Sequence, residues 1–298
     1  MPPHTAPPQE PALPLLAFDI GGTHLRGLLA RPTGEPLGRL RWPTDRERTA
    51  EQVCAAVAEL LAPTPFEAPA ALVVGVPGVV RGEEVSEVPN VPALQGVGFA
   101  RTLRSRLRAP LRLVNDANLA ALAERRAEAD LVFLALGTGL GCGVLVGGQV
   151  YAGAAGRAGE LGLLPYPSAV GAVLEDLLSG PGLARLARQL GGPIDVGAAL
   201  DDPGPAGQAL RAALAGALEY LLRVVGLCYD PGELVVGGGL GLRLISEVEA
   251  AARAAGLGVR VRPALHGDDA ALQGGLRLAR ELAAKVPLGT EVPIRRAP

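Results

Sequence analysis

Hydrophobic and polar positions along this chain alternate between runs typical of buried strands and patterns typical of helices. Apolar runs, and one alternating stretch near the end, predict strands at 15–20, 71–77, 111–116, 131–139, 233–238 and 259–263. Apolar residues at helical spacing predict helices at 50–61, 99–108, 117–128, 172–190, 206–228, 242–255 and 269–285. Strands that alternate with helices predict a mixed α/β fold.

The same pattern opens both halves of the chain. The strand at 15–20 is followed by a glycine turn and hairpin segments, and the strand at 131–139 by a glycine turn and a hairpin at 142–151. This repeat predicts a duplicated α/β domain with a cleft between the copies. We predict a small domain at 15–116, a large domain at 117–268 and a last helix at 269–285 that packs back on the small domain. The proline-rich residues 1–14 are predicted to form a disordered tail.

Composition removes several classes of function. Lys and Arg total 28 against 30 for Asp and Glu, so the chain lacks the basic field that holds a nucleic-acid backbone. Lys285 is the only lysine, which excludes a GxxxxGK[ST] phosphate loop and the strand lysine of protein kinases. The absence of HExxH and GxSxG motifs disfavours metalloprotease and serine-hydrolase chemistry. Acid–base chemistry is therefore expected from carboxylates.

Cysteine usage and hydropathy favour a cytoplasmic location. Cys54, Cys142 and Cys228 are widely spaced and form no CxxC pair, which is typical of small buried hydrophobes in a reducing compartment. The segment 131–156 is uncharged and long enough to cross a bilayer, but eight glycines interrupt it and predict short strands and turns. The N-terminus has no apolar signal core. We expect no membrane partner.

The first glycine turn places an acid beside a candidate anion site. Asp19 ends a strand, and Gly21, Gly22 and Thr23 follow it. Backbone N–H groups of such a turn can approach an anion closely, because no Cβ obstructs them. A carboxylate beside a phosphate requires a cation between them, so Asp19 is a candidate for holding hydrated Mg²⁺. The alternative is a plain β-turn in which Asp19 is only a turn former.

A second turn, GTGLGCG, joins a strand to its hairpin partner. It begins with Gly137, Thr138 and Gly139, which leave the backbone bare and add a hydroxyl that can donate to a phosphate. It is not the dinucleotide fingerprint, because a hairpin and not a helix follows. A tightly packed sheet turn is the alternative. A third glycine run, which ends a strand and opens a helix in a layout suited to a nucleotide, consists of Gly237, Gly238 and Gly239.

Three carboxylates stand at positions that suit chemistry. Asp116 lies where a strand meets a helix, so it is either the helix N-cap or a base that accepts the proton of a substrate hydroxyl. Glu160 and Glu175 lie in or beside glycine-rich segments. They are candidates for hydrogen bonds to the hydroxyls of a polyol, and the alternative is that both are solvated surface groups.

The order of these motifs resembles that of the ROK family of sugar kinases and repressors. DIGGT, GVPG, PN, NDAN, GTGLGCG, GELG, LEDLLSGPG and GGG follow one another between about residues 15 and 282. The resemblance implies the actin-like, hexokinase-type fold of two ribonuclease-H-like domains, with ATP and Mg²⁺ in the cleft. It implies that Asp116 is the catalytic base, that 19–23 and 137–139 contact phosphate, and that 237–239 belongs to the adenosine segment. It also implies sugar contacts from Gly78, through its backbone, and from Asn90, Asn115, Glu160 and Glu175.

Two positions depart from the family pattern. Leu163 stands where a histidine usually touches the sugar, and residues 164–174 contain none of the cysteines of the family's structural zinc site. We therefore predict no zinc. The resemblance implies phosphorylation of a hexose at its 6-hydroxyl, with glucose as the first substrate expected. An N-acetylhexosamine such as N-acetylmannosamine, or fructose, is the alternative.

Two other classes of function compete with a kinase. A sugar-responsive repressor needs a helix-turn-helix, and only fourteen residues precede Leu15. A catalytically idle sugar-binding protein is expected to lose the carboxylates of the reaction, yet Asp19 and Asp116 are both present. The expected assembly is a homodimer, the commonest symmetric state.

Overall fold

The structure, a computed structural model, describes residues 12–126, 129–167 and 172–285. Residues 1–11 of the predicted tail lie outside the described residues. The first half contains β1 (Leu15–Ile20), β2 (His24–Ala30), β3 (Pro36–Pro43), α1 (Thr49–Leu61), β4 (Ala71–Val76), β5 (Val79–Arg81), β6 (Glu84–Ser86), α2 (Gly98–Arg106), β7 (Leu111–Asn115) and α3 (Asp116–Glu124). The second half contains β8 (Leu131–Leu136), β9 (Leu140–Val146), β10 (Gln149–Val150), α4 (Leu174–Leu178), α5 (Gly180–Gln189), α6 (Val196–Asp201), α7 (Pro205–Tyr229), β11 (Glu233–Gly237), α8 (Gly239–Arg243), α9 (Ile245–Ala254), β12 (Arg260–Pro263) and α10 (Ala270–Ala284).

Both halves contain a five-stranded sheet of the same topology. The strand order is β3-β2-β1-β4-β7 in the first sheet and β10-β9-β8-β11-β12 in the second. In each sheet the first three strands along the chain pair antiparallel, and the two later strands add in parallel. The predicted duplication is therefore confirmed. The division of the chain into domains at residue 116 stays a prediction.

Alternation along β1 distributes its side chains between two layers. Leu16, Phe18 and Ile20 belong to an outer core with residues of α1 and α2, whereas Leu15 and Ala17 belong to an inner core with residues of α3 and α10. A third core lies between the second sheet and α4 to α9. Because side chains alternate with period 2, Asp19 shares the inner side of the sheet with Leu15 and Ala17.

Helix α3 follows the first sheet and α10 follows the second, and each packs against the other sheet. Helix α3 packs on β8 and β9 of the second sheet, and α10 packs on β1 and β4 of the first. The two helices also contact each other closely, since a Cβ added to Gly274 would lie 1.8 Å from the carbonyl oxygen of Leu119. A Cβ added to Gly143 on β9 would lie 2.2 Å from the carbonyl oxygen of Ala117. Glycine is therefore required at both contacts.

Two predicted helices are divided in the structure. The helix predicted at 172–190 is α4 followed by α5, because the hydroxyl of Ser179 accepts the N–H of Gly182 at 3.2 Å and caps a new helix. The helix predicted at 242–255 is α8 followed by α9, with the break at Leu244. Helix α6 was not predicted; the Asp195 side chain caps it by accepting the N–H of Ala198 at 2.8 Å.

Helix α7 is long and apolar enough to span a membrane by length and composition. It packs against α4, α5, α6 and α9, and its buried leucines belong to the core beneath the second sheet. The long uncharged segment 131–156 contains β8, β9 and β10, as predicted. The cytoplasmic location stays a prediction.

We expect Gly274→Ala to lower the free energy of unfolding by about 1–3 kcal/mol, because the added methyl group forces α10 away from the Leu119 carbonyl. Urea unfolding followed by circular dichroism measures this change. The matched control is Gly98→Ala, at the first position of α2, where an added Cβ meets nothing within 4 Å. Equal stability of the two variants would show that α3 and α10 separate without cost.

Candidate active site

A cavity of about 420 Å³ lies where the first turns of α3 and α10 meet the second glycine turn. The predicted residues that line it are Asp19, Gly78, Asn115, Asp116, Gly137, Thr138, Gly139, Glu160, Glu175 and Gly238. The predicted residues outside its lining are Gly21, Gly22, Thr23, Asn90, Gly237 and Gly239. Asn90 nevertheless lies beside the first turn, since a Cβ added to Gly22 would be 3.4 Å from the Asn90 Cβ. Of the predicted site residues, only Asn115 lines a larger cavity, of about 510 Å³.

Asp116 is the first residue of α3 and is not its cap. The cap is Asn115, whose Oδ1 accepts the N–H of Asn118 at 3.0 Å. The alternative that Asp116 serves only as an N-cap is therefore wrong. The Oδ1 of Asp116 instead accepts the N–H of Ala117 at 2.7 Å, and its carboxyl group faces the cavity.

The environment of Asp116 disfavours its charged form. Burial raises the pKa of Asp116 to about 7, the negative charges of Asp19 and Glu160 add to the rise, and the hydrogen bond from Ala117 opposes it. Its position at the positive end of α3 does not outweigh the burial. A carboxyl group with a pKa near neutrality is suited to exchange a proton with a substrate.

Asn115 joins the start of α3 to the turn between β4 and β5. Its Nδ2 donates to the carbonyl oxygen of Gly78 at 3.1 Å. Gly78 has a φ of +82°, and a Cβ there would lie 2.5 Å from the carbonyl oxygen of Ser86, so only glycine fits this turn. Both ends of the Asn115 amide thus contact protein. The sugar contacts expected of Asn115 and Gly78 stay predictions.

Glu175, on α4, contacts the second glycine turn. Its Oε2 accepts the N–H of Leu140 at 2.9 Å, and a Cβ added to Gly139 would lie 2.9 Å from the same oxygen. The N–H of Gly180 donates to the carbonyl oxygen of Gly137 at 2.8 Å. The α4–α5 segment therefore holds the second glycine turn in place. The sugar contact expected of Glu175 stays a prediction.

Glu160 is half-buried on the loop that follows β10. Burial raises the pKa of its carboxyl group, Arg157 lowers it, and Glu175 raises it further. Arg157 itself forms an ion pair with Glu87, beyond β6, and so links this loop to the first half of the chain. Behind the loop, the N–H of Gly159 donates to the Tyr229 hydroxyl at 3.3 Å.

Arg26 was not among the predicted site residues, yet it lines the cavity. Its Nε donates to the Oδ2 of Asp19 at 3.1 Å. Burial raises the pKa of the Asp19 carboxyl group, and the charge and hydrogen bonding of Arg26 oppose that rise. Arg26 could have been predicted from the short hairpin of β1 and β2, because this hairpin pairs Asp19 with Arg26.

The donor set of the cavity fits a hydrated Mg²⁺ ion and a nucleotide. No cluster of three or more His, Cys, Asp or Glu side chains that could hold a metal is found among the described residues. Mg²⁺ needs less than such a cluster, because it keeps several waters and is bound through one or two carboxylates plus phosphate oxygens. Asp19 supplies one carboxylate, and the backbone of Gly137, where an added Cβ would meet nothing within 4 Å, leaves room for phosphate.

The residues between Glu160 and Glu175 do not fit a structural zinc ion, since none is cysteine or histidine. Hydrogen bonds close this loop instead: the N–H of Tyr166 donates to the Ala172 carbonyl and that of Leu174 to the Leu164 carbonyl, each at 2.9 Å. The Tyr166 ring packs edge-to-face on Tyr220 of α7, with centroids 5.9 Å apart. Residues 168–171 of the loop lie outside the described residues.

Two sheets of one topology around a carboxylate-lined cavity define the actin-like, hexokinase-type fold. The chain belongs to the ROK family, whose family model matches residues 15–282. Among solved structures, the ROK hexokinase of Thermus thermophilus is similar with a TM-score of 0.79, 28% identity, and coverage of 92% of this chain and 99% of that chain. The ROK glucokinase of Streptomyces griseus, in complex with glucose and AMPPNP, has a TM-score of 0.72, 23% identity and coverage of 90% and 99%.

Curated relatives are similar at the sequence level. The bifunctional enzyme NanE/NanK of Brucella suis is 35% identical over 243 residues, which cover 78% of this chain and 46% of that protein. The N-acetylmannosamine kinase of Shigella boydii is 32% identical over 186 residues, which cover 58% of this chain and 64% of that protein. The match therefore spans less than two thirds of either relative.

We predict that elemental analysis finds no stoichiometric zinc and that a zinc-selective chelator leaves the melting temperature unchanged, because packing and backbone hydrogen bonds hold the loop between Glu160 and Glu175. Tyr166→Ala is expected to lower the melting temperature, whereas Tyr166→Phe, which keeps the ring contact with Tyr220, is the matched control. One tightly bound zinc ion per chain would contradict this account of the loop.

Proposed function

We propose that this chain is an ATP-dependent sugar kinase that phosphorylates the 6-hydroxyl of a hexose. The observation that carries the proposal is the Asp116 carboxyl group, which faces a cavity bounded by the second glycine turn and has a pKa raised to about 7. A base in this position can take the hydroxyl proton late in phosphoryl transfer. Membership of the ROK family supports the same reaction.

N-acetylmannosamine is the first substrate to test. Relatives with 32–35% identity are named N-acetylmannosamine kinase or NanE/NanK. These names favour N-acetylmannosamine, the alternative substrate of the sequence analysis, over glucose. Glucose remains the second substrate, supported by the fold shared with the Streptomyces glucokinase. Leu163, which is 54% exposed, offers no hydrogen bond to either sugar. Discrimination between them therefore depends on the other polar groups of the site.

Each side chain of the site has a separate role in the proposed reaction. Bound Mg-ATP supplies the phosphoryl group together with positive charge that offsets its oxygens. Asp116 orients the sugar hydroxyl and accepts its proton, and Asp19 holds the hydrated cation from the inner side of β1. Glu160 accepts hydrogen bonds from the ring hydroxyls, and the glycine turns let the backbone approach the phosphates. Positioning of these groups, rather than a covalent intermediate, supplies the rate enhancement.

A panel of N-acetylmannosamine, N-acetylglucosamine, glucose and fructose with ATP and Mg²⁺ tests the proposal through ADP production. We expect one N-acetylhexosamine or glucose to be phosphorylated. Asp116→Asn should keep sugar binding and lower kcat by about 10²–10⁴-fold, because the amide cannot accept the proton. If none of these sugars is phosphorylated, the proposed function is contradicted. If Asp116→Asn turns over normally, the role of Asp116 is contradicted.

We expect kcat/KM for the sugar to fall about tenfold per pH unit below a midpoint near pH 7. The active form of Asp116 is the carboxylate, so activity is full above its pKa and is lost as the pH falls and the group is protonated. Because the negative charge of Glu160 helps raise this pKa, Glu160→Gln should move the midpoint to lower pH. A profile that stays flat from pH 5.5 to 8 in both proteins would contradict this assignment.

A further inference from the structure

Arg26 ties the first sheet to the start of α10. It lies on β2 directly opposite Asp19 on β1. Its Nε donates to the Oδ2 of Asp19 at 3.1 Å, and its Nη2 donates to the same oxygen. Its Nη1 donates to the carbonyl oxygen of Asp268 at 2.5 Å, in the turn before α10. All three guanidinium nitrogens thus have protein acceptors.

Arg26 carries a positive charge in a cavity whose other charged residues are acidic. The acidic residues of the lining are Asp19, Asp116, Glu160, Glu175 and Asp268. Within the described part of the chain, Arg26 is the only cationic side chain of the lining. Such an acidic cavity repels a polyphosphate. Attraction must come from the metal that accompanies the nucleotide and from Arg26.

The partners in the ion pair differ in their freedom to move. The Arg26 side chain keeps 28% of its surface exposed, whereas that of Asp19 keeps 6%. Arg26 can therefore turn into the cavity while Asp19 stays in place. Thr138 and the first turn of α10, at Ala270 and Ala271, line the same cavity. Both a hydroxyl and a helix N-terminus are suited to an anion, and they stand in the space that the guanidinium can enter.

We infer that Arg26 is a catalytic residue that contacts the phosphates of the nucleotide. Its ion pair with the buried Asp19 neutralises that carboxylate. When the nucleotide binds, the guanidinium turns from Asp19 to the phosphate oxygens, and Asp19 is left to the hydrated cation. The planar guanidinium can donate two parallel hydrogen bonds to a phosphate, and it stabilises the charge that spreads over the transferred group. This inference rests on the proposed function.

Calorimetry with two ligands tests the contact without requiring turnover. Arg26→Ala should weaken the binding of ADP, measured with Mg²⁺, by about 10–100-fold, because a charge-assisted hydrogen bond to phosphate is lost. The binding of adenosine, which has no phosphate, should change less than about twofold. A structural role alone would weaken both ligands equally or neither.

Arg39→Ala is the matched control. Arg39 lies on the neighbouring strand β3 and pairs with Asp269, the residue after Asp268, at 2.5 Å. Like Arg26 it ties the first sheet to the turn before α10, but it is exposed and lies outside the cavity lining. We expect ADP and adenosine to bind Arg39→Ala as they bind the unaltered chain.

Arg26→Lys keeps the test valid if Arg26→Ala does not fold, because it preserves the charge beside Asp19. Its circular dichroism spectrum should match that of the unaltered chain, while its ADP affinity and kcat fall, since lysine is a point charge without the guanidinium fork. Unchanged ADP affinity in both Arg26 variants, in a chain that still phosphorylates a sugar, would overturn this inference alone. Absence of ADP binding by the unaltered chain would overturn the kinase assignment as well.

Discussion

The close approach of α3 to α10 is the constraint on which the rest of the structure depends. At Gly274 the backbone of α10 touches the carbonyl oxygen of Leu119, and at Gly143 the second sheet touches α3. Because each helix follows one sheet and packs on the other, these contacts bring the first turns of both helices to one cavity. Asp116 begins one helix and Ala270 the other. The position of the Asp116 carboxyl group thus depends on two glycines remote from it in sequence.

This arrangement concentrates negative charge where water is scarce. Asp19 is buried on the inner side of β1, and its charge raises the pKa of Asp116. Burial of like charges destabilises the folded chain, and Arg26 offsets part of that cost by pairing with Asp19. The same environment gives Asp116 a pKa near neutrality, which suits the proton acceptor proposed here. The proposed function and the stability of the fold therefore make opposite demands on these carboxylates.

Local sequence patterns predicted the strands of both five-stranded sheets, the duplication and ten residues of the cavity lining, because burial and turns leave periodic apolar runs and glycines. The break between α4 and α5 was missed, although Ser179 is followed by glycine and proline, which favour a new helix start. Contacts between segments that are distant in the sequence could not be predicted. Arg26 bonds Asp268, 242 positions away, and Glu175 bonds Leu140, 35 positions away. Such pairs depend on how helices pack, which no local pattern specifies.

One helix supports both glutamates expected at the sugar end of the site. The ring of Tyr220 on α7 packs on Tyr166 in the loop before Glu175, and the Tyr229 hydroxyl at the end of α7 accepts the N–H that precedes Glu160. Glu175 in turn holds the second glycine turn through Leu140. A displacement of α7 would therefore shift both carboxylates and the turn expected to contact phosphate. In this chain the placement of both glutamates depends on the packing of an apolar helix, where the family resemblance implies a structural metal ion in other members.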